Sequence, residues 1–297
     1  MSKILVSIII PTFEGIELLK KNLPLLFSVM EKQKISYEVI VVDNGSTDGS
    51  VGFIKRNYPQ VSVIRHKYNK GFSPAITTGY KYSKGKYLVL LNNDVVPKAD
   101  FLIPSLKHFA DNKLFAVSFH EEGYGPARGE FIKGFLHHLS MAETNVPCKT
   151  FWVSGGSGVF SKEIWRKLKG FDEALFAPFY WEDLDLSYRA LKRGYKILWE
   201  PTSFVDHEHE STSKKLPHNY VTNIKERNEL LFIWKNITSD NLFKQHLKGL
   251  LGRVIAHPGY LKIVLLALGK LSQVRFARKK EKSETIVSDE AIFAYFA

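Results

Sequence analysis

Carboxylate side chains near the ends of apolar runs are the residues of this sequence best suited to chemistry. Asp43 and Asp94 each follow closely on a short apolar run, and Glu182 and Asp183 stand together before a stretch with helical spacing. Carboxylate oxygens bind divalent cations such as Mg²⁺, and a carboxylate can also take a proton from a reacting hydroxyl as a general base. The sequence therefore predicts metal binding or proton transfer at these positions, provided that the fold brings them together.

The first 120 residues contain the segments that must position these side chains. Short apolar runs that predict strands alternate with amphipathic stretches that predict helices. Strands are predicted at 5–10, 37–42, 61–65 and 87–91, and helices at 16–30, 48–58 and 73–82. Strands that are apolar on both faces and separated by helices indicate an α/β fold with a mostly parallel sheet covered on both sides. Ligands bind beyond the carboxyl ends of such strands, and Thr12, Asp43 and Asp94 all fall there.

The helix ends and the second half of the chain carry weaker signals. Asp48 is predicted to cap one helix, and Ser73-Pro74 to supply the cap and the first-turn proline of the next. Beyond residue 120 the pattern is less regular. The predictions there are loops at 123–129 and 155–158, strands at 150–153, 196–199 and 203–206, a short helix capped by Ser161, a helix over 183–192, and helices from about 219 onward.

Composition excludes several classes of protein. Cys148 is the only cysteine of 297 residues, which excludes an internal disulfide framework and a cysteine-based zinc site. The start of the chain reads as a first strand and not as a signal peptide, and no apolar stretch is long enough for a spanning helix. The net charge is +12, and residues 214–282 hold fifteen Lys and Arg against four Asp and Glu. This excess indicates an anionic partner, either phospholipid or nucleic acid.

Several short motifs occur in a fixed order along the chain. They are Ile8-Ile9-Ile10-Pro11-Thr12-Phe13-Glu14, Val41-Val42-Asp43-Asn44-Gly45-Ser46-Thr47-Asp48, Leu90-Leu91-Asn92-Asn93-Asp94, Gly170-Phe171-Asp172-Glu173 and Trp181-Glu182-Asp183-Leu184-Asp185. In this order the sequence resembles family 2 glycosyltransferases with the GT-A fold over about residues 4–236. The Asn-Asn-Asp form and the Arg227-Asn228 pair resemble the rhamnosyltransferase-like branch. The resemblance implies a catalytic domain at 1–212, with a nucleotide-binding half to about 120 and an acceptor-binding half at 121–212, and a basic helical extension at 213–297.

The resemblance implies that the first two strand ends bind the donor nucleotide. Asp43 would hold the nucleobase, while Pro11, Thr12 and Glu14 would contact the base and the ribose. Taken alone, Asp43 could equally close an Asx-type turn. Lys70 and Gly71 precede a predicted helix, whose positive N-terminal end could face the diphosphate.

Asn92-Asn93-Asp94 stands where the family usually carries Asp-x-Asp and binds Mg²⁺ or Mn²⁺. Asn92 replaces the first carboxylate, which puts the strength of metal binding in doubt. The resemblance implies that His207 completes the metal shell, since its spacing fits better than that of His209. A separate zinc site and an exposed polar loop are the alternatives for these histidines.

The resemblance also implies that Asp183 is the general base of an inverting transfer and that Glu182 orients the acceptor. Trp181 and the segment Gly155-Gly156 would then lie beside the donor sugar and the acceptor. The alternative for Asp183 is a carboxylate that merely favours a helix N-terminus. Asp185 is predicted to pair with Arg189 four residues later.

The basic C-terminal stretch combines cations with a helical apolar stripe. The stripe comprises Leu261, Val264, Leu265, Leu268 and Leu271, and the cations comprise Lys262, Lys270, Arg275, Arg278, Lys279 and Lys280. This pattern is typical of a helix lying on an anionic membrane, which predicts a cytoplasmic protein bound to the inner face of the plasma membrane. The alternative is a helix packed on the catalytic body.

The resulting hypothesis is a metal-dependent inverting glycosyltransferase. It would move one sugar from dTDP-rhamnose or a UDP-hexose to a glycan or lipid-linked acceptor of a bacterial surface polysaccharide. The absence of a Gln-x-x-Arg-Trp sequence argues against a processive synthase. A nucleotidyltransferase would need a glycine-rich loop after the first strand, where the sequence has Pro11-Thr12-Phe13-Glu14-Gly15. A nucleic-acid-binding protein would leave Asp43, Asp94 and Asp183 unexplained.

Overall fold

The computed structural model describes residues 5–207 and 216–296. The strands are β1 (Val6–Thr12), β2 (Tyr37–Asp43), β3 (Ser62–Arg65), β4 (Tyr87–Leu91), β5 (Val95–Pro97), β6 (Leu114–Glu121), β7 (Ala127–Ile132), β8 (Phe135–Ser140), β9 (Cys148–Lys149), β10 (Ser157–Ser161) and β11 (Lys196–His207). The helices are α1 (Ile16–Gln33), α2 (Ser50–Asn57), α3 (Phe72–Tyr82), α4 (Ile103–Lys107), α5 (Lys162–Leu168), α6 (Glu173–Phe176), α7 (Glu182–Lys192), α8 (His218–Asn236), α9 (Asp240–Ala256), α10 (Leu261–Leu268), α11 (Leu271–Glu284) and α12 (Asp289–Tyr295). Short 3-10 turns occur at His108–Ala110 and Pro258–Tyr260.

The central sheet runs in the order β3-β2-β1-β4-β10-β6-β11-β5, with β9 paired to β11. The pairs β1–β2, β1–β4, β2–β3 and β6–β11 are parallel. Strand β10 is antiparallel to both of its neighbours, and β5 and β9 are antiparallel to β11. Strands β7 and β8 form a separate antiparallel hairpin. The predicted α/β fold with a mostly parallel sheet is confirmed.

Strands β1 and β4 are buried on both faces, as predicted, whereas the edge strand β3 has no buried residue. In β1, Ile9 packs into one hydrophobic cluster, while Ile8 and Ile10 pack into the other on the opposite face. Alternate residues of a strand point to opposite faces, so a continuous apolar run is what a sheet between two layers requires. This layering fixes the carboxyl ends of β1, β2 and β4 at one edge of the sheet.

Two predicted helix caps are wrong in detail. Helix α2 begins at Ser50 with Gly49 as its N-cap, yet the Asp48 carboxylate accepts the amide protons of Ser50 (3.0 Å) and Ile16 (2.8 Å). Asp48 therefore supports the first turns of α2 and α1 together. Helix α3 begins at Phe72 with Gly71 as its N-cap, two residues before the predicted cap Ser73, and the backbone turns at Gly71 with φ of 94°.

The second half of the chain departs further from the sequence expectation. Residues 150–153 are not a strand, whereas the glycine-rich segment predicted as a loop enters β10 at Ser157. The predicted loop at 123–129 ends early, since β7 begins at Ala127. The two short strands predicted at 196–199 and 203–206 are one strand, β11, whose register shifts between Glu200 and Phe204.

The C-terminal helices share a core with the sheet domain. Leu230 and Leu231 of α8 belong to the same buried cluster as Ile9 of β1, and so does Val274 of α11. Lys192 of α7 is fully buried and pairs with Asp289 of α12 at 3.0 Å. No helix among the described residues is long and apolar enough to cross a membrane. Ile263 and Ala267 of α10 belong to the same buried cluster. Packing on the body, one of the two interpretations of the basic stretch, therefore holds for α8, α10, α11 and α12.

Candidate functional site

The ends of β1 and β2 form one side of the candidate site. Asp43 is buried and accepts the amide proton of Ser46 at 3.2 Å, while Arg65 Nε lies 3.4 Å from its Oδ2. The carboxylate therefore does close a turn, which was the alternative for this residue. The amide of Asn44 donates to the carbonyl oxygen of Thr12 at 2.8 Å, so the two strand ends are joined directly at this edge.

Glu14 connects the same two loops. Its Oε1 accepts the amide proton of Thr47 at 2.8 Å, and its own amide donates to Ser46 Oγ at 2.9 Å. Its backbone has a φ of 46°. Pro11 and Thr12 lie within β1, where both are buried. The predicted nucleotide residues of β1 and β2 are thus neighbours.

The end of β4 reaches the same edge through its asparagines. Asn93 Nδ2 donates to Thr12 Oγ1 at 3.0 Å, and the carbonyl oxygen of Asn93 accepts a proton from Asn22 at 2.8 Å. The amide of Asn92 donates to the carbonyl oxygen of Gly156 at 2.8 Å. Asn92 and Asn93 therefore join the loops after β1 and β2 to the glycine-rich segment before β10. We call this continuous edge, from Asp43 to Asp183, the rim.

Asp94 and His207 lie side by side, as the metal assignment requires. His207 Nε2 is 3.3 Å from Asp94 Oδ1, and His207 Nδ1 is 3.1 Å from Glu121 Oε2. Burial alone would lower the pKa of His207, but the hydrogen bonds to Asp94 and Glu121 outweigh it and raise the pKa to about 9. Glu121, which also accepts the hydroxyl proton of Ser157, is a site residue that no sequence motif marks.

The donor set fits a hard divalent cation. Within the described residues, no cluster of three Cys, His, Asp or Glu side chains could hold a metal by itself. One carboxylate oxygen from Asp94 and one imidazole nitrogen from His207 suit Mn²⁺ or Mg²⁺ once His207 has given up the proton that its raised pKa retains. These ions commonly complete their shell with water and substrate phosphates. His209, the other half of the alternative zinc site, lies outside the described residues.

Asp183 stands in the first turn of α7 and faces the glycine-rich segment. Its Oδ2 accepts the amide proton of Gly155 at 3.2 Å, and its Oδ1 accepts that of Leu184 at 2.8 Å. Burial raises the pKa of Asp183, although these amides and His138 oppose the rise. The side chain of Asp183 is half-buried, so a substrate can reach a carboxylate whose basicity is increased.

Glu182 is more deeply buried than Asp183. Its Oε2 has no hydrogen-bond partner among the described residues. Burial, together with repulsion from Asp183, raises the pKa of Glu182 well above its ordinary value. Two neighbouring carboxyl groups thus differ in environment, and Asp183 is the one that loses its proton more readily. The roles of base for Asp183 and orienting group for Glu182 stay predictions.

The glycines before β10 let the two halves of the site approach each other. A Cβ on Gly156 would lie 2.3 Å from Asn92 Nδ2, and a Cβ on Gly155 would lie 3.2 Å from the Phe72 ring and 3.4 Å from Asp183 Cβ. A side chain at Gly156 would collide with Asn92, and one at Gly155 would crowd Phe72 of α3 beside Asp183. The segment therefore connects Asp183 to the loop that carries Asp94.

Gly71 is packed against neighbouring loops, whereas the adjacent Lys70 is exposed. Gly71 adopts a φ of 94° and would collide with the backbone of Pro178 if it carried a Cβ, and its carbonyl oxygen accepts a proton from Asn44 Nδ2 at 3.0 Å. Gly71 thus lies against the strand-end loop that carries Asp43. Lys70 is exposed and lies over the Tyr68 ring at 5.8 Å. Its contact with phosphate remains a prediction.

The turn before α7 is held by α8. Tyr180 and Trp181 both adopt positive φ, 69° and 76°, which non-glycine residues rarely do. Asn228 Nδ2 lies 2.8 Å from the carbonyl oxygen of Tyr180 and 3.0 Å from that of Phe179. Arg227 Nη2 donates to the carbonyl oxygen of Ala177 at 3.0 Å. Asn228 therefore holds this turn in place. In the sequence it is marked only by the Arg227-Asn228 motif.

Asp185 does not line the accessible part of the candidate site. It is fully buried, with Arg189 Nε at 2.8 Å and Lys235 Nζ at 2.8 Å from its carboxylate oxygens. The predicted pairing with Arg189 is therefore present. Asp172 of the Gly-Phe-Asp-Glu motif caps α6 and also binds Lys235, at 2.8 Å.

Comparison with known sequences finds a matching family profile and several related proteins. The profile of glycosyl transferase family 2 matches residues 7–166, which is more than half of the chain. A pre-mycofactocin glycosyltransferase of Mycobacterium tuberculosis is 30% identical over 182 residues, covering 58% of this chain and 37% of that protein. A dolichol-phosphate mannosyltransferase of Pyrococcus furiosus is 35% identical over 117 residues, covering 36% of this chain and 31% of that protein. The chain therefore spans only about a third of the length of these relatives.

Solved structures share the fold. GalNAc-T7, crystallised with UDP, GalNAc and Mn²⁺, superposes with a TM-score of 0.65 at 15% identity and covers 87% of this chain and 57% of that one. The mannosyltransferase PcManGT of Pyrobaculum calidifontis, in complex with GDP-Man and Mn²⁺, gives 0.55 at 18% identity and covers 90% of this chain and 75% of that one. These likenesses confirm the predicted GT-A fold.

Proposed function

The chain belongs to glycosyl transferase family 2, and on this premise we propose that it is an inverting glycosyltransferase that adds one sugar to an acceptor hydroxyl. Asp183 takes the hydroxyl proton while the acceptor oxygen forms a bond to the anomeric carbon. The bond from that carbon to the diphosphate breaks, and the nucleoside diphosphate leaves. The observation that carries this proposal is the continuous rim from Asp43 through Asn92 and Gly156 to Asp183.

The donor in this proposal is a nucleotide-diphosphate sugar, dTDP-rhamnose first and a UDP-hexose second. Structural neighbours that hold UDP or GDP-Man support this class of donor, and the Asn-Asn-Asp motif supports the rhamnosyl branch. Asp94 and His207 would hold Mn²⁺ or Mg²⁺, and a bound cation would neutralise charge on the departing diphosphate. The acceptor would be a glycan or lipid-linked glycan of a bacterial surface polysaccharide.

Nucleotide binding and transfer test the proposal in separate assays. UDP, dTDP and GDP are compared in thermal-shift measurements with and without Mn²⁺, since a ligand that binds the native state raises its apparent stability. We expect one nucleotide to stabilise the protein more in the presence of Mn²⁺. A chain that none of the three nucleotides stabilises would contradict the proposed function.

Asp183→Asn separates chemistry from binding. The variant should keep the nucleotide-induced thermal shift and lose transfer by about 10²-fold or more, because its side chain cannot accept the acceptor's proton. Asp111→Asn is the control, since Asp111 makes a surface pair with Lys196 at 2.7 Å away from the rim. Transfer by Asp183→Asn at the wild-type rate would remove Asp183 from the mechanism.

We also propose that the protein works at the inner face of the plasma membrane, bound through α9 and α10. An apolar ridge on these helices is exposed by between 43% and 71% per residue, and it comprises Leu247, Leu251, Ile255, Leu261, Leu265, Leu266 and Leu268. Lys244, Lys248 and Lys262 are exposed on the same two helices. Apolar side chains flanked by lysines suit an interface with anionic phospholipid.

The ridge differs from the stripe that the sequence predicts. Val264 packs against the core, and Lys270 and Arg278 donate to backbone carbonyl oxygens of Ala174 and Trp234. Those cations therefore stabilise the packing of the helices on the body. The membrane contact rests on the ridge and its three lysines.

Flotation with liposomes tests the membrane proposal. The wild-type chain should float with vesicles of phosphatidylcholine and phosphatidylglycerol, and a variant with Leu251, Ile255, Leu261 and Leu265 changed to serine should remain at the bottom. Tyr82→Ser with Val146→Ser is the control, because both residues are exposed apolar side chains outside the ridge. Equal flotation of the ridge variant, or no flotation of the wild type, would contradict the contact.

A further inference from the structure

Three aromatic side chains surround the approach to Asp183. His138 of β8 lies with its ring centroid 5.0 Å from Trp152 and 5.8 Å from Trp181, and its plane is steep to both, at 77° and 84°. Trp181 is the N-cap residue of α7, two positions before Asp183. Trp152 belongs to the segment that leads to Gly155, whose amide binds Asp183. Three separate elements thus bring aromatic rings to one carboxylate.

The rings are accessible. Trp152 and Trp181 are half-buried, with part of each resting on the hydrophobic core, and His138 is exposed. Trp181 is supported from behind by Phe232, with ring centroids 5.3 Å apart. Each indole is held in place by the core and still has apolar surface accessible to solvent. Binding sites often use such aromatic side chains to contact a ligand over a large area.

We infer that Trp152, Trp181 and His138 form an aromatic platform that binds a pyranose ring of the acceptor next to Asp183. A pyranose presents a face of C–H groups, which pack against an indole, and a rim of hydroxyls, which need donors and acceptors. This inference rests on the proposed function and specifies it: the reacting hydroxyl belongs to a sugar.

His138 has the chemistry to recognise sugar hydroxyls. Desolvation of the ring where it packs against Trp152 and Trp181 lowers the pKa of its imidazole, although the Asp183 charge opposes the shift. The neutral ring offers one N–H donor and one acceptor nitrogen, which is what a hydroxyl requires.

The charges at the platform argue against a phosphate as the reacting group. Asp183 and Glu182 are adjacent carboxyl groups, and burial together with repulsion between them raises the pKa of Glu182. An acceptor phosphate at the same place would add a further anion beside Asp183, and like charges at short distance are costly where water is partly excluded. A neutral sugar hydroxyl carries no such cost.

Saturation-transfer NMR tests the platform directly, with the full-length chain, its selected nucleotide and Mn²⁺. The probes are the methyl glycosides of rhamnose, glucose and galactose, and an inorganic phosphate control reports anion binding. We expect saturation of the ring protons of at least one glycoside in the wild type. His138→Ala and Trp152→Leu should each weaken its binding by about three- to tenfold, the range of one lost aromatic contact.

His137→Ala is the matched control, since His137 is the exposed neighbour of His138 on the same strand and points to the other face of the hairpin. It should bind the glycoside like the wild type, and all variants should keep the nucleotide-induced thermal shift. Equal glycoside binding by wild type and both platform variants, or none by the wild type, overturns the platform while the glycosyltransferase function stands. Loss of the nucleotide shift in the wild type would instead overturn the proposed function.

Discussion

The imidazole ring of His207 lies between two carboxylates, and each of its nitrogens faces one of them. Nε2 is directed at Asp94 and Nδ1 at Glu121, 3.3 Å and 3.1 Å away. In metal sites the second nitrogen of a histidine ligand is commonly held by a carboxylate, which fixes the ring and increases its basicity. Glu121 would occupy that position if His207 binds the proposed cation, although it belongs to β6 and to none of the recognised motifs.

Glu121→Gln should therefore weaken metal binding by about 10- to 100-fold while the fold stays intact. Titration of Mn²⁺ followed by electron paramagnetic resonance, with the nucleoside diphosphate present, measures this affinity without turnover. Glu143→Gln is the matched control, because Glu143 also pairs with a histidine, His120, at 3.1 Å but outside this cluster. Equal Mn²⁺ affinity in Glu121→Gln and the wild type would show that Glu121 does not support His207.

At the scale of elements, α8 fixes the turn that delivers Trp181, Glu182 and Asp183. The Asn228 amide group meets the backbone carbonyl oxygens of Phe176, Phe179 and Tyr180 within 3.1 Å. Positive φ at Tyr180 and Trp181 is costly and persists only where surrounding contacts impose it. Without Asn228 the turn would lose those contacts and relax.

Asn228→Ala should lower kcat by about tenfold or more, since small misplacement of a catalytic group can cost up to about 10²-fold. Nucleotide affinity should change less than about twofold, because the variant leaves β1, β2 and β4 untouched. Asn219→Ala, on the exposed first turn of the same helix, serves as the control. A variant with wild-type kcat, or one that loses nucleotide binding and kcat in parallel, would exclude this positioning role.

The sequence predicted the elements whose pattern is local and missed those that depend on pairing partners. Buried parallel strands such as β1 and β4 read as continuous apolar runs, and the strand-end residues Asp43 and Asp94 follow from them. The strand β10 begins in a glycine-rich segment that reads as a loop, because only its pairing with β4 and β6 makes it a strand.

The same limit applies to the candidate site. Glu121 and His138 reach the site from β6 and β8, and no short-range spacing connects them to Asp94 or Asp183. A polar side chain in an unremarkable segment carries no signal until its partners are known. The motif residues were predictable because the family resemblance supplies their roles.

At the scale of the whole molecule, the C-terminal helices and the sheet domain form one folded body, and His246 is a point where they meet. The indole N–H of Trp234 donates to His246 Nε2 at 2.8 Å, so Nδ1 carries the proton and donates to the carbonyl oxygen of Gly134 at 2.7 Å. The ring is fully buried and joins α8, α9 and the hairpin that carries His138. Both nitrogens are satisfied only in the neutral form.

Acid should therefore loosen this junction. Burial lowers the pKa of His246 to about 4, although its bond to Gly134 opposes the shift, while an unfolded chain has a histidine pKa of about 6.5. The unfolded state thus takes up the proton first as the pH falls. The stability due to neutral His246 is complete above about pH 6.5 and is lost progressively toward pH 4, by about 2–3 kcal/mol at pH 4.5.

Urea unfolding at pH 7.5 and pH 4.5 measures this loss when the wild type is compared with His246→Gln. Glutamine keeps a donor and an acceptor but has no proton to gain, so the variant should lose about 2–3 kcal/mol less between the two pH values. His257→Gln, at the exposed end of α9, should retain the wild-type dependence. The same pH dependence in His246→Gln and the wild type would mean that another group governs the acid stability of the junction.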